Sequence, residues 1–426
     1  MSIEVVCGIN WGDEGKGRMV DYLALSADVV VRYQGGNNAG HTVVNELGKF
    51  VLHLVPSGVL SPKVLNVLGP GMVIDLEGLD RELTDLKDAG INCDQVLISD
   101  RATVAFPFHR DEDTWEEQRL GANAYGSTRQ GIAPAYGDRA LKKAIRVGDL
   151  LYPDALRKRL VQLVEWKQSV ARGVYQKEFS TDADALLEWA VALGEKFRDR
   201  ICDSAQVLEQ AASEGKRILF EAQLGALRDI YFGIYPYTTS SCTLASFAPI
   251  GAGLFGRNVD RVIGVMKAFS SCVGEGPFVS AMQDHEADAL RETALEFGAT
   301  TGRPRRIGHF DAVASRFGAD MQGATEIALT KLDSLSGRDR LQICTHYEVD
   351  GTQTTRFPLT PALDDAKPIY VEFEGWTEDV TGCRRFDDLP VTAQRYVLSI
   401  EELVGRPIRW VSVGPERDQL IEREDL

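Results

Sequence analysis

Directly behind the apolar run Ile3 to Cys7 comes a glycine-rich stretch, Gly8 to Gly17 (GINWGDEGKG), followed by RMVDYLAL. A strand, a glycine turn and a helix in that order open an α/β fold and offer a phosphate a seat. Glycines let the backbone approach a ligand closely, and a helix N-terminus supplies unpaired N–H groups and a partial positive charge. Lys16 adds a full charge. The stretch departs from the common pattern GxxxxGK[ST], with Asn10 in place of the first glycine and Gly17 in place of the hydroxyl. Asp13 and Glu14 are its unusual members, because a carboxylate among phosphate-binding amides calls for a metal ion or a protonated substrate. Read locally, the same acids could simply favour the helix N-terminus.

Short β-branched runs recur at Asp28 to Tyr33, Phe50 to Val55, Gln95 to Ile98, Arg217 to Phe220, Val262 to Met266 and Leu341 to Cys344. They are unbroken rather than alternating, which is the pattern of strands buried on both faces. The expected fold class is α/β, a large central, mostly parallel sheet flanked by helices in the manner of P-loop NTPases. Residues 153–215 are rich in Leu, Ala, Glu and Lys; Leu186, Trp189, Leu193 and Phe197 share a helical face, and Thr181 with Asp184 reads as a capping box. A helical insertion over 153–215 is expected within a single domain, 1–426, since no linker or repeat marks a boundary.

A net charge of −16 opposes nucleic-acid binding, so any anion must be held by local basic clusters. Seven scattered cysteines without a CxxC pair argue against a disulfide framework or zinc ribbon and for a reducing compartment. No apolar run approaches the length of a membrane span, and no leader pattern opens the chain, so a soluble cytoplasmic protein without a membrane partner is expected.

Several stretches carry groups suited to chemistry. QGGNNAGHTVV places Asn37, Asn38 and His41 among glycines between two strand runs, where an imidazole could serve as acid or base. EFGATTGRPRRIG couples Thr300 and Thr301 to Arg303, Arg305 and Arg306, whose guanidinium forks suit carboxylates and phosphates. Lys142, Lys143 and Arg146 form another basic group, for which a solvated face is an equal reading. TKLD, Thr330 to Asp333, ends an apolar run with a carboxylate able to accept from the N1–H and amino group of guanine. SVGPER, Ser412 to Arg417, offers small residues for close backbone contact with a nucleotide.

Taken together, WGDEGKG, GGNNAGHT, GIAPAY with RVGDL, YPYTTSS, GPF, EFGATTGRPRR with FDAVA, ALTKLD and SVGPER resemble the adenylosuccinate synthetase family in order and over nearly the whole chain. The resemblance implies a GTP-dependent ligase that joins IMP to aspartate through 6-phosphoryl-IMP, with Mg²⁺ as cofactor, GTP as cosubstrate and a homodimer with shared active sites. It implies Asp13 as the base that removes the purine N1 proton and His41 as the acid at the β,γ-bridge of GTP, with Asp13 and the Gly40 carbonyl on the metal. GTP would meet Gly12, Gly15, Lys16, Gly17, Gly40, Thr42, Arg305, Lys331, Asp333, Ser412 and Gly414. IMP would meet Asn38, Thr128, Thr239 and Arg303, with Lys142 reaching a phosphate in the partner subunit. Aspartate would meet Ala299, Thr300, Thr301 and Arg303. The chain departs from the family pattern at Asn10, Cys242, Cys272 and Lys142. EAQLG (Glu221 to Gly225) replaces EGAQG, which puts Leu224 where the family has an IMP-contacting Gln and leaves Gln223 as the nearest substitute. Those departures keep two alternatives open, a paralogue acting on another 6-oxopurine nucleotide such as GMP or dGMP, and a non-catalytic GTP-binding regulator.

Overall fold

The N-terminal run becomes a central strand of a ten-stranded sheet in the computed structural model, which describes residues 2–298 and 302–424. In chain order the strands are β1 (Ser2–Gly8), β2 (Val29–Arg32), β3 (Leu65–Leu68), β4 (Val96–Ser99), β5 (Ile201–Cys202), β6 (Arg217–Gly225), β7 (Arg261–Lys267), β8 (Glu326–Thr330), β9 (Ile408–Ser412) and β10 (Leu420–Glu422). Across the sheet they run β10-β9-β8-β7-β1-β6-β2-β3-β4-β5. Neighbours are parallel throughout, apart from the antiparallel edge pair of β9 and β10. Apolar packing covers both faces, which is why these strands read as unbroken β-branched runs. The expected α/β class is the observed one.

Strands added after β1 and β2 lie on both sides of β1, so the order reverses there and leaves a crevice beyond the carboxyl ends of the strands. The loops that follow β1, β2, β6, β7, β8 and β9 all open on that edge, and they carry the motifs picked out above.

Two runs belong elsewhere. Phe50 to Val55 does not enter the parallel sheet; Gly48–Leu52 pairs antiparallel with His41–Asn45 as a separate hairpin. Leu341 to Cys344 lies within the long strand Arg338–Val349, which pairs antiparallel with Lys367–Trp376 in a second sheet. An unbroken apolar run reports burial, and each of these runs touches a core without joining the main ladder.

The helices used below are α1 (Lys16–Ala24), α2 (Leu76–Asp88), α3 (Pro107–Leu120), α4 (Ile132–Ala140), α5 (Pro153–Val170), α6 (Ala183–Lys196) and α7 (Ser204–Ser213). The insertion is helical through α5 and α6, but 153–215 also contains edge strand β5 and helix α7, whose Leu208, Ala211 and Ala212 pack on the sheet. The cap of α6 is Asp182, which accepts from the N–H groups of Asp184 and Ala185, rather than Thr181. Lys167 of α5 reaches through to Glu112 and Asp138, both at 2.7 Å, and His109 meets Asp138 at 2.9 Å, all four nearly fully buried. This network ties α3, α4 and α5 to one another. Glu117 of α3 in turn accepts from the N–H groups of Tyr125, Gly126 and Ser127, steadying the loop that holds Thr128.

All seven cysteines are free thiols. Among the described residues no helix is long and apolar enough to cross a membrane.

Candidate active site

The loop between β1 and α1 is folded around its own carboxylate. Glu14 is 2% exposed, accepts from the N–H groups of Asn10 (3.1 Å) and Gly12 (2.8 Å), and pairs with Lys16 Nζ at 2.6 Å. Of the two acids in the motif, Glu14 therefore shapes the loop and neutralises Lys16, while Asp13, one-third exposed, faces outward. Gly12, Asp13 and Gly15 all sit in the left-handed region, at φ 106°, 59° and 100°. Glycine accepts that conformation freely and aspartate tolerates it, so the turn that presents Asp13 is held by its neighbours. Thr330, at the end of β8, donates to the Glu14 carbonyl at 2.6 Å and ties the loop to the sheet edge.

Asp13 is met by Arg305, whose Nε donates to it at 2.9 Å while Nη1 donates to Glu296 at 2.8 Å. Glu296 is fully buried and also accepts from Lys267 at 2.7 Å; Lys267 donates to Ser271 at 2.6 Å. Burial alone would raise the Glu296 pKa, but the charges of Lys267 and Arg305 outweigh it and hold the carboxyl at about 2. Glu296 is thus a permanent anion that fixes Arg305, and Arg305 fixes Asp13.

His41 reaches the site because Gly17 has no side chain. A Cβ at Gly17 would stand 2.7 Å from the His41 Cβ, so the space that a side chain takes at this position of the common phosphate loop is here taken by the stem of His41 and the Ser57 hydroxyl. His41 Nδ1 lies 2.5 Å from Glu221 Oε1. Glu221 is fully buried and also accepts from the Ser57 hydroxyl (2.7 Å) and N–H (2.8 Å). Burial lowers the His41 pKa, opposed by its hydrogen bond to Glu221. Glu221 stays ionised despite burial because His41, Arg32 and the Ser57 amide favour its charge. With Nδ1 turned to a carboxylate, Nε2 can donate only when the ring is imidazolium, and an arriving polyanion adds to the carboxylate's side of that balance.

At the other end of the crevice Arg18 donates to the Ser412 hydroxyl and to the carbonyls of Glu416 (2.6 Å) and Gln419 (2.8 Å), holding the loop after β9 against α1. The Ser412 hydroxyl donates to the Gly414 carbonyl at 3.1 Å. Lys331, at φ 65°, donates to the Ala294 carbonyl at 2.7 Å, and burial raises the Asp333 pKa beside it. Asp21 of α1 accepts from Asn45 (3.1 Å) and Arg417 (2.7 Å), joining this loop to the hairpin that bears His41 and the exposed Thr42.

Around the crevice, Asn38 Oδ1 is buried without a hydrogen-bond donor, Thr128 and Thr239 are half-buried, and Arg303 meets Glu275. Gln223 does not offer a free amide: its Oε1 accepts from the Gly36 N–H (3.1 Å), its Nε2 donates to the Gly36 carbonyl (2.8 Å), and it is fully buried. It braces the Gly35–Gly36 turn. Leu224, at φ 57°, lies against Gly12 and so occupies the place beside the phosphate loop. Lys142 is exposed at φ 63° after α4. Ala299, Thr300 and Thr301 lie outside the described residues. Glu221, Glu296 and Lys267 were not singled out from the sequence.

Among the described residues no three His, Cys, Asp or Glu side chains form a metal cage. Asp13, one-third exposed on its turn, is a carboxylate of the kind that holds Mg²⁺ together with substrate phosphates.

A family model described as adenylosuccinate synthetase matches residues 5–421. The chain belongs to the adenylosuccinate synthetase family. It is 52% identical over 420 residues to adenylosuccinate synthetase 2 of Pseudoalteromonas translucida, covering 98% of this chain and 99% of that one. It is 44% identical over 424 residues to the adenylosuccinate synthetase of Caldanaerobacter subterraneus, covering 99% of each. Among solved structures, a fully ligated adenylosuccinate synthetase from Plasmodium falciparum matches with a TM-score of 0.93 at 32% identity over 100% of both chains. A cyanophage S-2L succinoaminodeoxyadenylate synthetase shares the fold, with a TM-score of 0.60 at 19% identity over 99% of this chain and 95% of that one. The adenylosuccinate synthetase fold thus accounts for the mostly parallel sheet and for the loops gathered at its carboxyl edge.

Proposed function

We propose that this member of the adenylosuccinate synthetase family joins IMP and L-aspartate at the expense of GTP, with the following division of labour among its residues. Asp13 takes the N1 proton of IMP, and the 6-oxygen attacks the γ-phosphorus of GTP. The bond to the β,γ-bridging oxygen breaks, and GDP leaves with its charge met by His41. The aspartate amino group then attacks C6 and phosphate departs, giving adenylosuccinate. Phosphorylation is needed because an amide-like oxygen is a poor leaving group and a phosphate a good one.

The observation that carries this reading is the pairing of His41 with the fully buried Glu221 beside the glycine turn that presents Asp13. A carboxylate whose pKa is lowered, despite burial, by His41, Arg32 and the Ser57 amide stands behind the imidazole and equips it to donate where negative charge develops. Lys16, released from Glu14, and Arg305 meet the GTP phosphates, with the amides of Gly12, Gly15 and Gly17 and the Gly40–Thr42 turn around them. Asp333 accepts from guanine, with Lys331, Ser412 and Gly414 lining the base. Asn38, Thr128, Thr239 and Arg303 hold IMP, Lys142 serves the partner subunit of a homodimer, and Ala299, Thr300, Thr301 and Arg303 take aspartate. Asp13 and the Gly40 carbonyl would hold Mg²⁺, which would supply positive charge at the transferring phosphoryl group when bound.

The test is phosphate release by the purified protein, with product mass read in parallel. Release that requires GTP, IMP and aspartate together and yields adenylosuccinate supports the proposal. Release without aspartate, or none with any combination, overturns it.

A further inference from the structure

The loop after β7 carries a carboxylate that the division of labour above does not use. Glu275 Oε1 accepts from Arg303 Nη2 at 2.7 Å, with both side chains about half exposed. Beneath the pair the backbone is fixed. Arg228 donates to the carbonyls of Val273 (2.5 Å) and Glu275 (3.1 Å), and Arg306 to those of Gly274 (3.0 Å) and Gly276 (2.8 Å). Gly274 and Gly276, at φ 87° and 100°, make the turn that lifts the side chain between them. Glu275 is therefore presented toward Arg303 from a perch clamped on both sides.

Arg228 and Arg306 donate to carbonyls and to the Cys272 sulfur, and neither forms an ion pair with a carboxylate among the described residues. Of the three guanidiniums, Arg303 is the one ion-paired with a carboxylate among the described residues. Both members of that pair stand half exposed at the surface, where a substrate carboxylate can exchange with Glu275.

We infer that Glu275 is an internal stand-in for the amino-acid substrate: its carboxylate occupies the Arg303 guanidinium until an incoming aspartate carboxylate displaces it, and it thereby sets the KM for aspartate. The inference rests on the reading of Arg303 as a substrate contact. A carboxylate on the protein and one on the substrate compete for the same donors, so removing the first strengthens the second. Exposed ion pairs are weak, which bounds the effect at about two- to fivefold.

The experiment measures the aspartate KM and kcat of the full-length enzyme and of Glu275→Gln, Glu275→Asp, Arg303→Gln and the Glu275→Gln/Arg303→Gln pair, with thermal melting as the check on folding. Glu275→Gln should lower the aspartate KM about two- to fivefold, Glu275→Asp should keep it near the parent value, and Glu275→Gln should have no effect in the Arg303→Gln background. If Arg303→Gln raises the aspartate KM while Glu275→Gln leaves it unchanged, the stand-in role is overturned and the Arg303 reading survives. If Glu275→Gln raises the KM, Glu275 is a direct substrate ligand and the inference is also overturned. If Arg303→Gln leaves the KM unchanged, the Arg303 reading itself fails.

Discussion

Replacing Glu221 with Gln probes the least exposed part of the proposed chemistry. The carboxylate makes three hydrogen bonds, to His41 Nδ1 (2.5 Å) and to the hydroxyl and N–H of Ser57 (2.7 and 2.8 Å). A carboxamide cannot satisfy all three. With its oxygen toward Ser57 its NH₂ faces Nδ1 and holds the ring neutral, and with its oxygen toward His41 its NH₂ opposes the Ser57 N–H. Losing one charge-assisted hydrogen bond of this kind costs about 1.5–3 kcal/mol, equivalent to roughly a 10- to 150-fold fall in kcat. The imidazolium also loses its counter-charge, so the His41 pKa, already lowered by burial, falls further. The rate loss should therefore be greater at about pH 8 than at about pH 6. Steady-state kinetics across that range at saturating GTP, IMP and aspartate provide the assay, with circular dichroism to confirm folding. A variant within twofold of the parent kcat at both pH values would refute the argument that Glu221 arms His41.

Glu296→Gln leaves Lys267 and Arg305 without their buried anion and should destabilise the protein by about 3–5 kcal/mol; adding Lys267→Met should recover most of it in a denaturant titration, and a double variant no more stable than the single would contradict the network. Gly17→Ala brings a Cβ to 2.7 Å from that of His41 and must displace the imidazole, so kcat should fall about 10- to 100-fold, a loss that parent-like turnover would exclude. Burial lowers the pKa of His41, His109 and His309, so below about pH 6.5 the unfolded chain binds more protons than the folded one and stability falls as pH drops. Asp311, raised to about 6 by burial, opposes this in part. A melting temperature flat or rising from about pH 7.5 to about pH 5.5 would show that the histidines do not dominate.

The phosphate loop was legible in the sequence because its cause is local: glycines at left-handed positions, a strand before and a helix after. Asp13, Lys16 and His41 could be named from such stretches. Their partners could not, since Glu221 lies 180 residues from His41 and only the parallel pairing of β6 with β2 brings them together. Nothing in the stretch distinguishes Glu14 from Asp13, yet the tightness of the loop turns Glu14 inward onto two backbone amides. Gln223 looked available to a purine, yet the Gly35–Gly36 turn needed a brace and took both ends of its amide. The hairpin over residues 41–52 escaped because an apolar run reports burial without saying against what.

The central claim is that Asp13 and His41 act together on the junction between the purine oxygen and the terminal phosphoryl of GTP. It is tested most directly by isotopic-oxygen scrambling between the β-nonbridging and β,γ-bridging positions of GTP, with IMP present and aspartate withheld. The account predicts scrambling in the parent enzyme that requires IMP and disappears in Asp13→Asn and His41→Asn. Scrambling without IMP, or undiminished in either variant, would contradict it.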